Sequence, residues 1–308
     1  GMKNEVIVVR SQRNLYDHAV RTVGIKMVEV GLPDRYSGAG VRDAEAWEIN
    51  DAINENTACV FYVANSRSRP SLREVTEVAH NSEIPVLVDA AAQIPPIENL
   101  RRFITEGADL VTFSGGKAIQ GPQGSGILCG KKDLVASAAL QNLDQDIFFE
   151  QWEPPPGLFD KSLLTGLPHH GIGRACKVGK EQVVGLLIAL RLFAEGSYKK
   201  QNNRNFKILE NLFRKLDPKL QSMSEIVICS ESEEPVLQLS VGKKESNSAF
   251  ALTMYLSKGE PSIHCDHSRI GEGLLIFSAS CLKTKDTEFI SARLNKLLED
   301  DSIFINRS

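Results

Sequence analysis

The chain has 308 residues and a mass of 33.9 kDa, enough for two domains or one large α/β unit. Apolar residues make up 42% and charged residues 24%, which excludes disordered, collagen-like and low-complexity classes. The 36 basic and 39 acidic residues give a formal charge of −3, so no global basic field favours nucleic acid as a partner. No apolar run reaches the roughly 18 residues of a membrane span.

Short β-branched runs alternate with longer amphipathic stretches through the first half of the chain. The predicted strands are residues 5–9, 26–30, 58–63, 85–89, 110–113 and 126–130. The predicted helices are residues 16–23, 43–54, 71–81 and 100–106. Nearly continuous apolar strands separated by helices indicate a largely parallel sheet that is covered on both faces.

The second half has a different pattern. Residues 153–157, with three prolines in a row, predict an exposed loop. A long helical pattern covers residues 179–216, with a possible interruption at Gly196 and Ser197. Strands are predicted at 226–228, 236–240 and 273–277, and helices at 249–256 and 287–300. We therefore predict a large domain over residues 1–190 and a smaller α+β domain over 191–308.

The six cysteines lie far apart, and none belongs to a CxxC pair. They are Cys59, Cys129, Cys176, Cys229, Cys265 and Cys281. We interpret them as small buried side chains in a reducing cytoplasm. The alternative is a zinc site of His264, Cys265 and His267, but no second ligand pair follows at zinc spacing.

Two features point to chemistry. Asp89 follows an apolar strand, and open α/β sheets bind ligands at that end of their strands. Alone, it reads equally as a helix cap or a surface carboxylate. Residues 114–126 follow another strand and contain five glycines around Lys117, with Ser114 three residues before it. A P-loop would need GxxxxGK followed by Ser or Thr, and this spacing fails; a solvated glycine loop is the other interpretation.

Together the two features match the needs of pyridoxal phosphate. The Lys117 amine can form the Schiff base, and Asp89 can pair with the protonated pyridine nitrogen, which keeps the ring an electron sink. Ser114 and backbone amides can meet the phosphate. The sequence therefore predicts this cofactor at the strand ends.

At these residues the chain resembles fold-type I pyridoxal-phosphate enzymes. Within that group it is similar to the selenocysteine synthase-like branch, which includes D-glucosaminate-6-phosphate ammonia-lyase. The likeness covers most of residues 5–195 and only the general layout beyond. The matching text is PVLVDAAAQ (85–93), GADLVTFSGGK (107–117), GPQ (121–123), GIGR (171–174) and KVGKE (177–181). The resemblance implies a three-layer α/β/α, mainly parallel, aspartate aminotransferase-like large domain and a smaller C-terminal α+β domain.

The resemblance also implies further site residues. Relatives stack an aromatic ring or imidazole on the cofactor from the segment 10–18, where Gln12 occupies the expected position. His18 is the substitute candidate, although a helix-surface histidine that bonds a neighbour is the stronger interpretation of that residue. Asn65 or Ser66 is expected near the cofactor's phenolic oxygen. Arg174 and Lys177, with Lys180, are expected to hold a substrate carboxylate or phosphate, although a solvated helix start explains them equally well. Ala91, Gly121 and Gln123 complete the expected cofactor contacts.

The implied function is elimination or β-replacement on an amino acid or amino-sugar acid, with Lys117 as the base that takes the α-proton. A homodimer or higher even oligomer is expected, and action on charged tRNA is not. The alternative is a degenerate, catalytically silent relative that acts as a binding or scaffold protein. It is favoured by Gln12 and by the lack of the first phosphate-binding turn, which relatives carry upstream of the segment matched by residues 5–30. Without that turn we expect weak cofactor binding.

Overall fold

The computed structural model describes residues 2–32, 43–143, 145–229, 233–241 and 246–298, the side chains of 246–248 excepted. The chain folds into two compact units, Gly1–Ala194 and Glu195–Ser308. No helix in the described ranges is long and apolar enough to cross a bilayer.

The first unit contains a six-stranded sheet in the order β2-β1-β3-β4-β5-β6. Its strands are β1 (Glu5–Val9), β2 (Lys26–Val30), β3 (Thr57–Val63), β4 (Val86–Asp89), β5 (Leu110–Ser114) and β6 (Gly126–Gly130). The first five strands are parallel, and only β6 pairs antiparallel to its neighbour. Because the link from β5 to β6 contains no crossover helix, the chain returns antiparallel.

The strands are buried as the apolar runs predicted. Val6, Ile7, Val8 and Val9 of β1 are each at most 3% exposed, which is typical of a sheet covered on both faces. The helices of this unit are α1 (His18–Arg21), α2 (Ala46–Ala52), α3 (Leu72–Asn81), α4 (Asn99–Thr105), α5 (Lys132–Gln141) and α6 (Lys180–Ala194). The mainly parallel α/β architecture is confirmed.

Helix α3 shows how local sequence sets an element. Ser71 accepts a hydrogen bond from the Glu74 amide, and the Glu74 carboxylate accepts one from the Ser71 amide. This capping box begins the helix at the predicted position. Leu72, Val75 and Ala79 then fall on its buried face.

In this unit, two helix predictions were wrong in extent, and one helix was missed. Residues 16–23 form a 3-10 turn (Leu15–Asp17) followed by the single turn α1, because the Asn14 side chain accepts a hydrogen bond from the Tyr16 amide and tightens the backbone. Helix α2 begins at Ala46, after residue 43. Helix α5 contains no buried residue, so it leaves no apolar periodicity to find.

The second unit packs helices on a three-stranded antiparallel sheet, β7-β8-β9. Its elements are α7 (Ser197–Lys215), α8 (Pro218–Ser222), β7 (Ser224–Ile228), β8 (Pro235–Ser240), α9 (Ser246–Ser257), β9 (Leu274–Ser278) and α10 (Asp286–Lys296). Leu212, Leu237, Leu252, Leu275 and Leu294 are fully buried in its core. Residues 299 and 300 of the predicted last helix lie outside the described residues.

The interpretation that the cysteines are buried needs a correction. All six are free thiols; Cys176 and Cys281 are exposed, and the other four are partly buried. Burial raises the pKa of Cys59 to about 11. In the zinc alternative, His264 bonds Ser262 and Cys265 contacts Thr253. Within the described ranges, no group of three or more His, Cys, Asp or Glu is placed to hold a metal.

Candidate functional site

Three neighbouring strands of the first sheet end at one level. Asp89, the last residue of β4, pairs with Val63 of β3 on one side and Thr112 of β5 on the other. The Ala64 amide donates to the Asp89 carbonyl at 2.9 Å, and the Ala90 amide donates to the Thr112 carbonyl at 3.0 Å. The loops that follow these strands therefore open at the same edge of the sheet, where open α/β sheets bind ligands.

Asp89 is partly buried at this edge. Its Oδ1 accepts a hydrogen bond from the Ala91 amide at 3.0 Å, which fixes the carboxylate against the first residues of the loop. Among the described residues, no group donates to Oδ2 and no cation pairs with the carboxylate. One oxygen is therefore available to a positively charged ligand atom.

Lys117 lies on a loop closed by its own backbone. The Gly115 amide donates to the Ser125 carbonyl at 2.9 Å, and the Gly121 amide donates to the Gly115 carbonyl at 2.8 Å. Ser114, at the end of β5, pairs with Gly126 of β6. The Lys117 side chain is exposed, and no acidic side chain of the described chain pairs with it.

The glycines of this loop are required by close packing. A Cβ at Gly115 would overlap the Ser125 hydroxyl and would lie 2.8 Å from Cδ1 of Leu186 in α6. A Cβ at Gly116 would lie 2.8 Å from the Cα of Gln123. The loop thus folds tightly on itself and on α6, which holds Lys117 in place.

Tyr16 is a residue next to Lys117 that sequence reasoning did not single out. Its ring centroid lies 5.7 Å from Nζ of Lys117, within the range of a cation–π contact. His18, the expected ring-stacking candidate, lies exposed at the start of α1, and the described residues offer its imidazole no partner. The available signal was that Tyr16 is the one Phe, Tyr or Trp in residues 10–18.

Gln12 is a structural residue. Its side chain is buried, Oε1 accepts a hydrogen bond from the Val63 amide at 2.9 Å, and Nε2 donates to the Arg69 carbonyl at 3.3 Å. Both ends of the amide are therefore occupied by backbone groups, one at the end of β3 and one in the loop that follows it. This accounts for a glutamine at the position where relatives are expected to carry a stacking ring.

The remaining predicted residues lie in three places. Asn65 and Ser66 follow β3, and Asn65 Oδ1 accepts a hydrogen bond from the Arg67 amide at 2.8 Å. Gly121 and the exposed Gln123 belong to the Lys117 loop. Arg174 lies in the 3-10 turn Ile172–Cys176, and Lys177 follows it before α6.

A carboxylate at the end of one strand and an amine on the loop after the next, in a mainly parallel sheet, are the arrangement expected of fold-type I pyridoxal-phosphate enzymes. The aminotransferase class-V family model matches residues 36–144. The solved structure of D-glucosaminate-6-phosphate ammonia-lyase superposes with a TM-score of 0.68 and 25% identity, covering 97% of this chain and 72% of that one. A SepCysS–SepCysE complex structure, at 12% identity and a TM-score of 0.52, supports the fold alone.

Sequence similarity points to the same group of proteins. The chain is 32% identical over 204 residues to D-glucosaminate-6-phosphate ammonia lyase of Salmonella typhimurium, covering 64% of this chain and 44% of that protein. It is 26% identical to 5'-C-glycyluridine monooxygenase-decarboxylase of a Streptomyces species, covering 96% and 67%. It is 33% identical to L-seryl-tRNA(Sec) selenium transferase of Mannheimia succiniciproducens, covering 36% and 26%.

These matches confirm the resemblance: the chain is similar in sequence and in fold to D-glucosaminate-6-phosphate ammonia lyase and, over a shorter stretch, in sequence to a selenium transferase. The matches confirm the expectation of an enzyme family whose cofactor is pyridoxal phosphate. The chain spans less than half the length of the ammonia lyase and about a quarter of that selenium transferase.

Proposed function

We propose that the chain is a pyridoxal-phosphate-dependent lyase or transferase that acts on an amino acid or amino-sugar acid by α,β-elimination or β-replacement. The observation that carries this proposal is the placement of Asp89 and Lys117. Asp89 ends one strand and Lys117 lies on the loop after its parallel neighbour, and neither has an oppositely charged partner among the described residues.

The groups present fit the cofactor. Asp89 Oδ2 can accept a hydrogen bond from a protonated ring nitrogen. Lys117 offers an exposed primary amine, and the Ser114 hydroxyl, without a hydrogen-bond partner in the described chain, can donate to a phosphate oxygen. Further contacts are proposed from Ala91, Gly121, Gln123, His18 and Ser66.

Each residue then has a defined task. When bound, pyridoxal phosphate supplies a ring that withdraws electrons from the substrate α-carbon. Asp89 would hold positive charge on the ring nitrogen, and Lys117 would take the proton from the α-carbon. Arg174 and Lys177 would hold a carboxylate or phosphate of the substrate. Loss of a group from the β-carbon distinguishes elimination from β-replacement.

Borohydride trapping tests the proposal. The protein is incubated with pyridoxal phosphate, reduced and mapped by peptide mass spectrometry. We expect the permanent label on Lys117, its loss in Lys117→Ala, and unchanged labelling in the control Lys132→Ala, which removes an exposed lysine of α5. A label on a different lysine, or none, would overturn the assignment.

Turnover separates the enzyme from a silent relative. Sugar acids, including D-glucosaminate 6-phosphate, and D- and L-amino acids are screened for release of ammonia and a keto acid. Release by the wild type but not by Lys117→Ala supports a lyase. Labelling of Lys117 without turnover of any substrate in the screen supports the binding or scaffold alternative.

We propose a homodimer as the working assembly. One face of α6 packs on the Lys117 loop through Gly185 and Leu186, whereas other apolar side chains of this helix are 45–60% exposed. These are Val183, Val184, Leu187, Ile188 and Leu192. An apolar face of this kind is typical of a subunit interface.

Light scattering tests the assembly. The wild type should be a dimer, Leu187→Glu a monomer, and the control Arg191→Ala a dimer. A wild type that is monomeric at micromolar concentration would contradict the proposed homodimer.

A further inference from the structure

The segment that carries Tyr16 is organised around a buried carboxylate. We call residues 10–21 the ion-paired arm. The Asp17 side chain is 3% exposed; Nε of Arg13 donates to one of its oxygens, and Nε of Arg21 donates to the other at 3.2 Å. Chiefly because of the Arg13 hydrogen bond, the pKa of Asp17 lies below its ordinary value. The carboxylate is therefore charged and doubly paired inside the fold.

The arm is also tied to two strands of the sheet. Arg13 donates to Glu29 of β2, and Nε of Arg10 donates to Glu29 at 2.9 Å. On the other side, Gln12 bonds the Val63 amide at the end of β3. These contacts hold the backbone before Tyr16, and Asp17 holds the backbone directly after it.

Tyr16 itself has little packing to hold it. Its side chain is 74% exposed, although its ring lies over the Lys117 amine. The Tyr16 amide donates to Asn14 Oδ1 at 2.8 Å, which fixes the turn. The place of the ring is therefore set by the backbone of the arm, because neighbouring side chains do not enclose it.

We propose that Asp17 is a positioning residue that sets the Tyr16 ring over the Lys117 amine by holding Arg13 and Arg21. A buried charge stays buried only when its partners are in place, so the ion pairs and the conformation of the arm form one unit. Removing the charge frees Arg13 and Arg21 and loosens the arm, so the ring no longer stays over the amine. The inference rests on the proposed function only in taking Lys117 as the reactive amine.

Competitive acetylation tests this without the cofactor. The full chain is treated with a trace of acetic anhydride, and mass spectrometry gives the acetylation rate of Lys117 relative to exposed Lys200. We expect a rise of about threefold in Asp17→Asn and in Tyr16→Ala, the size of one exposed cation–π contact. The control Asp51→Asn, which removes an exposed carboxylate of α2, should change nothing.

The double variant distinguishes positioning from general destabilisation. If Asp17 acts through Tyr16, adding Tyr16→Ala to Asp17→Asn should raise the rate no further. Additive effects, or an unchanged rate in Asp17→Asn, would overturn the proposal. If Asp17→Asn does not fold by circular dichroism, Arg21→Ala replaces it, because Arg21 is about half exposed; a rate equal to wild type would then refute the role. Failure of the proposed function would show separately, as absence of the borohydride label on Lys117.

Discussion

At the scale of single residues, the proposed function predicts that the charge of Asp89 is needed for catalysis but not for cofactor binding. In Asp89→Asn the side-chain oxygen can still accept the Ala91 amide hydrogen bond, so the strand end should keep its shape. A neutral amide cannot hold the ring nitrogen positive. Because a hydrogen bond to a charged group contributes about 1.5–3 kcal/mol, we expect steady-state turnover to fall about 10- to 100-fold. Labelling at Lys117 by borohydride should persist.

The matched control is Asp133→Asn, which removes an exposed carboxylate in the first turn of α5. It should turn over substrate at the wild-type rate. If Asp89→Asn is as active as this control, the carboxylate does not face the ring nitrogen, and a different residue must stabilise the charge.

Sequence reasoning placed some residues of the site and missed others for a physical reason. Asp89 and Ser114 end neighbouring strands and Lys117 follows the second of them, so the rule that parallel strands end together brings all three to one edge. Tyr16 and His18 are two residues apart, and the sequence does not say which one turns toward Lys117. That choice depends on the 3-10 turn, the Asn14 cap and the Asp17 ion pairs, which are tertiary features.

At the scale of elements, the Lys117 loop and α6 form one packed unit, which a single methyl group should disrupt. In Gly115→Ala the new Cβ would press on Leu186 of α6 and on the Ser125 hydroxyl. Overpacking of this kind costs about 1–3 kcal/mol. We expect that loss in the free energy of unfolding, measured with urea, together with reduced labelling at Lys117.

Gly124→Ala is the control on the same loop. A Cβ at this position would meet nothing within 4 Å, so stability should stay within about 0.5 kcal/mol of wild type. If the two substitutions change the free energy of unfolding equally, the position of the added methyl group does not matter. Contact with α6 would then not be what holds the loop.

The strands could be predicted more closely than the helices. A buried strand such as β1 leaves a short, continuous apolar run, and its length and β-branched residues favour a strand over a helix. Helix α5 leaves no such pattern, and α1 is a single turn shaped by the polar contacts of Asn14 and Asp17. The antiparallel direction of β6 depends on how the glycine-rich loop closes on itself, which its composition does not specify.

At the scale of the whole molecule, Asp109 joins elements at the edge of the sheet where strands begin. Its side chain is 1% exposed and contacts His80 of α3 at 2.8 Å, Lys131 at 2.6 Å and the Val86 amide of β4 at 2.7 Å. Burial opposes the charge, but the hydrogen bonds from Lys131, His80 and Val86 outweigh it and lower the pKa of Asp109.

This pKa predicts an acid-dependent stability. A carboxyl group whose pKa is lower in the folded than in the unfolded state stabilises the fold fully above the unfolded value of about 3.9, and the stabilisation is lost as the pH falls through the folded value. We therefore expect Asp109→Asn to lower the free energy of unfolding by about 1–3 kcal/mol at pH 7. Urea unfolding at several pH values should show the gap constant above about pH 5 and closing in acid.

Asp133→Asn serves again as the control, because its exposed carboxylate should contribute little to the free energy of unfolding at any of these pH values. At neutral pH, salt should reduce the difference in unfolding free energy between the wild type and Asp109→Asn only slightly. Salt screens the ion pair with Lys131, which is 61% exposed, but it does not weaken the buried hydrogen bond from the Val86 amide. A gap that persists unchanged at pH 3 would show that Asp109 stabilises the fold through shape and not through its charge.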